Sequence, residues 1–150
     1  AAPFRLKAML REVGPLGGAG PEAVTIDVPE NIGITADREE LFRVFTNLVR
    51  NAFDAGATAV NIRLAATSPV RIEVYDNGPG MPPRAVQNLF RAFAGSARAG
   101  GTGLGLAIAQ EVMAAHGGGI ELVRTGADGT VFCLMLPGDA LDMGANEAAQ

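Results

Sequence analysis

Residues 38–55 carry the strongest periodic pattern in the chain, and any fold has to be built around it. Leu41, Val44, Phe45, Leu48 and Ala52 follow the i, i+3, i+4, i+7 rhythm of a helix with one core-facing stripe. Asp37 reads as the N-cap, Glu40 three residues on completes a capping-box pattern, and Gly56 suits the position just past the end. Such a stripe needs a second layer to bury it. Alternating segments supply one: 23–28 (AVTIDV), a shorter 32–36, then 58–66 and 70–75, which read as an antiparallel hairpin across a Ser-Pro turn. Two more, 119–124 and 130–136, flank a turn at Gly126–Gly129. Further helices are expected over 4–13, 83–92 and 104–115. Helices and antiparallel strands come in runs and not as βαβ units, which predicts a two-layer α+β sandwich.

Composition narrows the function. The chain has 150 residues, the size of one domain, and with 48% apolar and 19% charged residues it is not a disordered chain. Its net charge is −4 and its 12 Lys and Arg form no basic run, which argues against a nucleic-acid-binding face. No apolar stretch reaches membrane-spanning length, and the start (AAPFRLKAML) lacks a signal-peptide layout. Cys133 is the only cysteine, so an internal disulfide is excluded and a reducing, cytoplasmic setting is expected; in its apolar strand it reads as an inert buried thiol. His116, the only histidine, cannot build a His-rich metal site. Ending a helix before three glycines, it reads as an imidazolium complementing the helix dipole.

Three segments carry chemistry. At about 100° per residue, Asn47, Asn51 and Asp54 fall within roughly 60° of each other, a stripe roughly 120° from the apolar one. A lone Asn on a helix is ordinarily just solvated, but two inside one helix go against local propensity. Asp76-Asn-Gly78-Pro-Gly80-Met81 follows a strand and by itself is turn chemistry. Gly101-Thr102-Gly103-Leu104-Gly105 opens a helix, where free N–H groups and the dipole attract anions. It is neither a Walker loop nor a dinucleotide fingerprint, because no Gly-Lys-Ser/Thr follows and no βαβ unit surrounds it.

In this order and spacing the segments resemble the GHKL ATP-binding family, and within it the catalytic, ATP-binding domain of sensor histidine kinases. The N box reads NLVRNAFDA, the G1 box DNGPGM, the F box LFRAF, the G2 box GGTGLGLAIA and a G3-like box GADGTVFCLMLP, covering about residues 20–137. The resemblance implies a Bergerat-type fold, a mixed, mainly antiparallel sheet covered by helices on one face. It divides the chain into the end of a linker helix (1–16), the catalytic domain (17–137) and a C-terminal tail (138–150) expected to fray. It implies ATP and Mg²⁺ as cofactors. Asn51 matches the Mg²⁺-binding asparagine and Asp76 the aspartate that accepts from the adenine amino group; Gly78 and Gly80 keep that loop close to the base. Gly101, Thr102, Gly103, Leu104 and Gly105 match the phosphate-cradling turn, and Thr130 a threonine beside the adenine-binding aspartate. Phe90 and Phe93 match the F-box aromatics, which core packing would explain equally well, and residues 82–100 the ATP lid, with 94–102 expected to order on nucleotide binding. The implied partners are a histidine-containing dimerisation domain separate from this chain and a downstream response regulator, with no nucleic acid, no membrane contact and a monomeric isolated domain.

Two positions depart from the pattern. Asp54 stands where histidine kinases often carry a basic residue, so a phosphate contact falls to Arg50, Arg91 or Arg98, with Asp54 bonding through water or to a nearby Arg. Asn47 stands where hydrolytic relatives carry a glutamate general base; an amide cannot take a proton, which favours transfer to histidine over hydrolysis. A mismatch-repair-like ATPase head, suggested by NAFDAGAT, and a non-catalytic nucleotide-binding module remain alternatives at this point.

Overall fold

A computed structural model describes residues 2–17, 20, 22–89 and 102–141. Helix α2 spans Arg38–Asp54, and the Asp37 side chain accepts from the Glu40 N–H at 3.1 Å, the N-cap half of the expected capping box; the Asp37 N–H turns to His116 instead of the Glu40 side chain. The stripe from Leu41 to Ala52 is buried against a five-stranded sheet of order β2-β4-β5-β7-β6. Its strands are β2 (Val24–Asp27), β4 (Val60–Thr67), β5 (Val70–Asp76), β6 (Gly119–Gly126) and β7 (Gly129–Leu136). β2 runs parallel to β4 and the other pairs are antiparallel, which is the mixed sheet expected.

The period of two sorts the two faces. Val70, Ile72 and Val74 on β5 and Phe132, Leu134 and Leu136 on β7 turn toward the helices and are buried. Arg71, Glu73 and Tyr75 alternate to the other face, where Arg63 stacks over the Tyr75 ring at 4.7 Å. Cys133 lies on that face too, buried, and burial pushes its thiol up, in keeping with an inert sulfur.

The N-terminal segment departs from expectation. A helix from residue 4 was expected; instead Pro3–Arg5 forms strand β1, antiparallel to β3 (Gly33–Thr35), with Phe4 opposite Ile34. Pairing with a strand some thirty residues away overrides the local periodicity. Helix α1 follows over Leu6–Val13 with Leu6, Met9, Leu10 and Val13 wholly buried in the same core as α2. The boundary drawn after residue 16 therefore divides side chains that share one core. At the other end, Gly138–Ala140 forms a 3-10 turn and Leu141 bridges to Ile34, so residues 138–141 pack back and do not fray; residues 142–150 lie outside the described residues.

Helix α3 (Pro83–Gln87) is shorter than expected, and α4 (Thr102–Ala115) begins two residues earlier. His116, just past α4, holds the ends of α2 and α4 together. Its Nε2 accepts the Asp37 N–H at 3.1 Å, while Nδ1 lies 2.8 Å from the Val112 carbonyl. The ring thus bridges the start of α2 and the end of α4. The α4 start consequently lies by the second half of α2. Among the described residues no helix is long and apolar enough to cross a membrane.

If α1 belongs to the core, Leu10→Ala should destabilise the chain by about 2–5 kcal/mol in urea unfolding, the cost of a buried Leu deletion. A helix that merely leads into the domain would give a change of about 0.5 kcal/mol or less.

Candidate functional site

The core-facing row of β5 does not end in an apolar residue. Val70, Ile72 and Val74 are followed on the same face by Asp76, and the corresponding row of β7 begins with Thr130, the cross-strand partner of Asp76. Alternation thus carries a carboxylate and a hydroxyl to the end of the buried face, where the sheet opens into a cleft. The second half of α2, the 76–81 loop and the start of α4 close it. Leu48, Ala52, Met81, Leu106 and Phe132 give it apolar walls; Asn51, Asp76 and Thr130 are its polar side chains.

Asp76 is held in a strained electrostatic position. Burial pushes its carboxyl above the ordinary value, while the Gly78 and Thr130 backbone amides act in the opposite direction by favouring the charged form. The Gly78 N–H donates to Oδ1 at 2.8 Å. A side chain at Gly78 would put its Cβ 3.1 Å from that oxygen.

The loop is fixed by backbone contact. Gly80 has φ +88°, and a Cβ there would lie 2.3 Å from the Gly126 carbonyl oxygen. Gly129, at φ +132°, would bring a Cβ within 1.9 Å of the Asp76 carbonyl oxygen. The loop and the β6–β7 turn therefore touch main chain to main chain, which only glycine permits. Asn77 supplies the second fixing: Oδ1 accepts from the Thr58 and Ala59 N–H groups at 2.8 and 3.0 Å, and Nδ2 donates to Thr58 Oγ1 at 2.9 Å. Thr125 supplies the third: its Oγ1 accepts the Met81 N–H at 2.8 Å and lies 2.7 Å from Thr130 Oγ1.

Five residues singled out in the sequence, Asn51, Asp76, Gly78, Gly80 and Thr130, converge on the cleft. Asn51 Nδ2 is buried there with no hydrogen-bond partner among the described residues. Asn47, one turn earlier and half-buried, and Asp54, exposed at the helix end, are not part of its wall. Thr102, Gly103, Leu104 and Gly105 form the first turn of α4 by backbone. Gly101, Phe90, Phe93, Arg91, Arg98 and most of the expected lid lie outside the described residues. Sequence reasoning missed Thr125, Gly129 and the clamp made by Asn77. Asn77 and Gly129 were visible only as turn-formers, and nothing local marks Thr125.

Residues 36–140 match the family described as histidine kinase-, DNA gyrase B- and HSP90-like ATPases. The chain belongs to this family. It is 36% identical over 123 residues to the signal transduction histidine-protein kinase AfsQ2 of Streptomyces coelicolor, covering 79% of this chain and 23% of that protein. It is 39% identical over 132 residues to the probable sensor histidine kinase TcrY of Mycobacterium tuberculosis, covering 81% and 27%. The chain thus spans about a quarter of the length of these curated relatives. Among solved structures it superimposes on the catalytic domain of histidine kinase ThkA with a TM-score of 0.73 and 28% identity, over 91% of this chain and 94% of that one. The mycobacterial sensor histidine kinase MprB gives a TM-score of 0.71 at 25% identity, over 91% and 97%.

A carboxyl raised by burial destabilises the fold once ionised. That penalty is absent below the ordinary carboxylate range and is complete once pH has risen past the raised folded value. Asp76→Asn, which keeps the shape and removes the charge, should therefore raise the urea midpoint near pH 7, with the difference from the unaltered chain shrinking as pH falls below the carboxylate range. A midpoint lowered at pH 7, or a difference that grows with acidity, would show that Asp76 is not under desolvation stress.

Proposed function

We propose that this chain is the ATP-binding catalytic domain of a two-component sensor histidine kinase, which presents the γ-phosphate of ATP to a histidine on a separate dimerisation domain. The observation that carries the reading is the half-buried Asp76 carboxylate at the end of an apolar cleft, opposite the Asn51 amide, whose Nδ2 is unpartnered among the described residues. A purine ring places its faces against Leu48, Ala52 and Phe132 and its amino group against Asp76, with Thr130 beside it. An ionised carboxylate only accepts, so it suits adenine; guanine would turn a carbonyl oxygen toward it.

The triphosphate then extends toward Asn51 and the first turn of α4, whose free N–H groups and dipole favour anions. Mg²⁺ fits the residues present in one way only. Among the described residues no cluster of three His, Cys, Asp or Glu side chains could cage a cation. The half-buried Asn51 carboxamide, whose Nδ2 has no partner among the described residues, can turn its oxygen into the cleft and serve as the one protein ligand, with water and phosphate oxygens as the rest. Bound there, the ion would neutralise charge on the transferring phosphoryl group. The chain's own contribution is positioning: Asp76 and Thr130 fix the base, Asn51 and the α4 start fix the phosphates. Asn47 takes no proton. The acceptor imidazole brings its own lone pair, so transfer needs no base on this side: the N–P bond forms as the bond to the ADP oxygen breaks.

Titration of nucleotides tests the reading. ATP should bind about ten- to a hundred-fold more tightly than GTP, from roughly 1.5–3 kcal/mol for a hydrogen bond to a charged group. Asp76→Ala should weaken ATP by about that factor and shrink the ratio, whereas Asn51→Ala should weaken ATP only when Mg²⁺ is present. Equal affinity for the two nucleotides, or a ratio untouched by Asp76→Ala, would overturn the assignment.

The chain incubated with γ-labelled ATP should stay unlabelled and should phosphorylate a histidine-containing dimerisation domain added to it. Acid-labile phosphate on His116 would contradict this.

A further inference from the structure

Thr125 does not line the cleft, yet it is bonded to two residues that do, Met81 and Thr130. Thr125, Thr130 and Asp76 form one cross-strand row over β6, β7 and β5. The row exists because β6 is irregular. Its register on β7 shifts between Leu122 and Arg124, leaving Val123 as an extra residue that is 47% exposed. Ile120 and Leu122 pair with Leu134 and Phe132 on the core face. Strict alternation would send residue 125 to the opposite face, and the inserted residue brings it back beside Thr130.

We propose that Thr125 is a positioning residue for base selection, acting through Thr130; this rests on the ATP-binding reading above. A hydroxyl has one hydrogen to give and lone pairs to accept with. Thr125 Oγ1 accepts from the Met81 main chain, and either hydroxyl could donate in its contact with Thr130; in the proposed arrangement Thr125 gives its hydrogen to Thr130 Oγ1. The Thr130 hydroxyl, buried at 4% exposure, is thereby made an acceptor on the β6 side and turns its own hydrogen into the cleft. The cleft then offers an acceptor, Asp76, next to a donor, Thr130. That order complements adenine, whose amino group sits beside the N1 lone pair, directly or through one water. A 6-oxo purine shows the reverse order. Without the Thr125 hydroxyl, Thr130 is free to rotate and present a lone pair, and the fixed order is lost.

The test is titration of ATP and GTP into the 150-residue chain and its variants, with thermal unfolding run alongside. Thr125→Val, nearly the same shape, should weaken ATP about tenfold and GTP about twofold or less, so that the ratio narrows. Thr125→Ser, which keeps the hydroxyl, should stay within about twofold of the unaltered chain for both nucleotides. Thr130→Val keeps the Thr125–Met81 bond and should narrow the ratio in the same way. In that background, adding Thr125→Val should cost ATP less than about twofold more, because the two act as one unit. A ratio that survives Thr125→Val, equal losses of ATP and GTP, or failure of Ser to rescue would each overturn the inference while leaving an ATP-selective chain intact. A chain that binds no ATP before any substitution would overturn the ATP-binding reading itself.

Discussion

The site depends on a carboxylate standing where the strand pattern calls for an apolar side chain. Three β5 residues on one face, Val70, Ile72 and Val74, are buried, and the fourth in the row is Asp76. The conflict raises its carboxyl, and two main-chain amides hold its charged form in place. A solvated aspartate in a flexible loop would have water as partner and little reason to discriminate between ligands. Here the carboxylate is short of water, so a ligand that donates to it gains what the fold left incomplete.

Keeping that carboxylate in register requires the neighbouring loops to be rigid at short range. The Asn77 side chain gathers three hydrogen bonds from the loop after α2. Gly80 and Gly129 let the 76–81 loop and the β6–β7 turn meet with no side chain between them. These contacts fix the wall that carries Asp76, Gly78 and Met81, while α2 and α4 are joined at their far ends through His116. The cleft is thus walled by elements tied to each other away from the opening.

Much of this was legible in the sequence because it is local. The N-cap at Asp37, the α2 stripe and the hairpin read over 58–66 and 70–75 follow from periodicity and turn chemistry, and the structure has all three, with the hairpin strands at Val60–Thr67 and Val70–Asp76. The spacing of the Asn, Asp and Gly clusters singled out Asn51, Asp76, Gly78 and Gly80, which line the cleft together. What escaped depends on residues distant in the chain. Strand β1 exists because of β3, and the sequence of PFR alone has no strand length to show. Leu141 is ordered by Ile34. The extra residue in β6 leaves no trace in the alternation, and the expected strand stopped at residue 124, so nothing in the sequence singled out Thr125. His116 was read by its place on a helix, and its real partner comes from another one.

The cleft is also polarised along its length. The one carboxylate on its wall among the described residues sits at the sheet end, while the α2 side offers a neutral carboxamide and the α4 side a helix N-terminus; Asp54, which could have put negative charge there, is exposed and off the wall. An elongated ligand with an anionic tail therefore fits one way round, since the reverse would press phosphate against Asp76. Coulomb repulsion between such groups a few ångströms apart costs about 4 kcal/mol per pair of unit charges near a protein surface, more than the hydrogen bond to the base returns. Under the proposed ATP-binding reading, charge then settles the orientation, and the hydrogen-bonding row of Asp76 and Thr130 is left to decide which base is accepted.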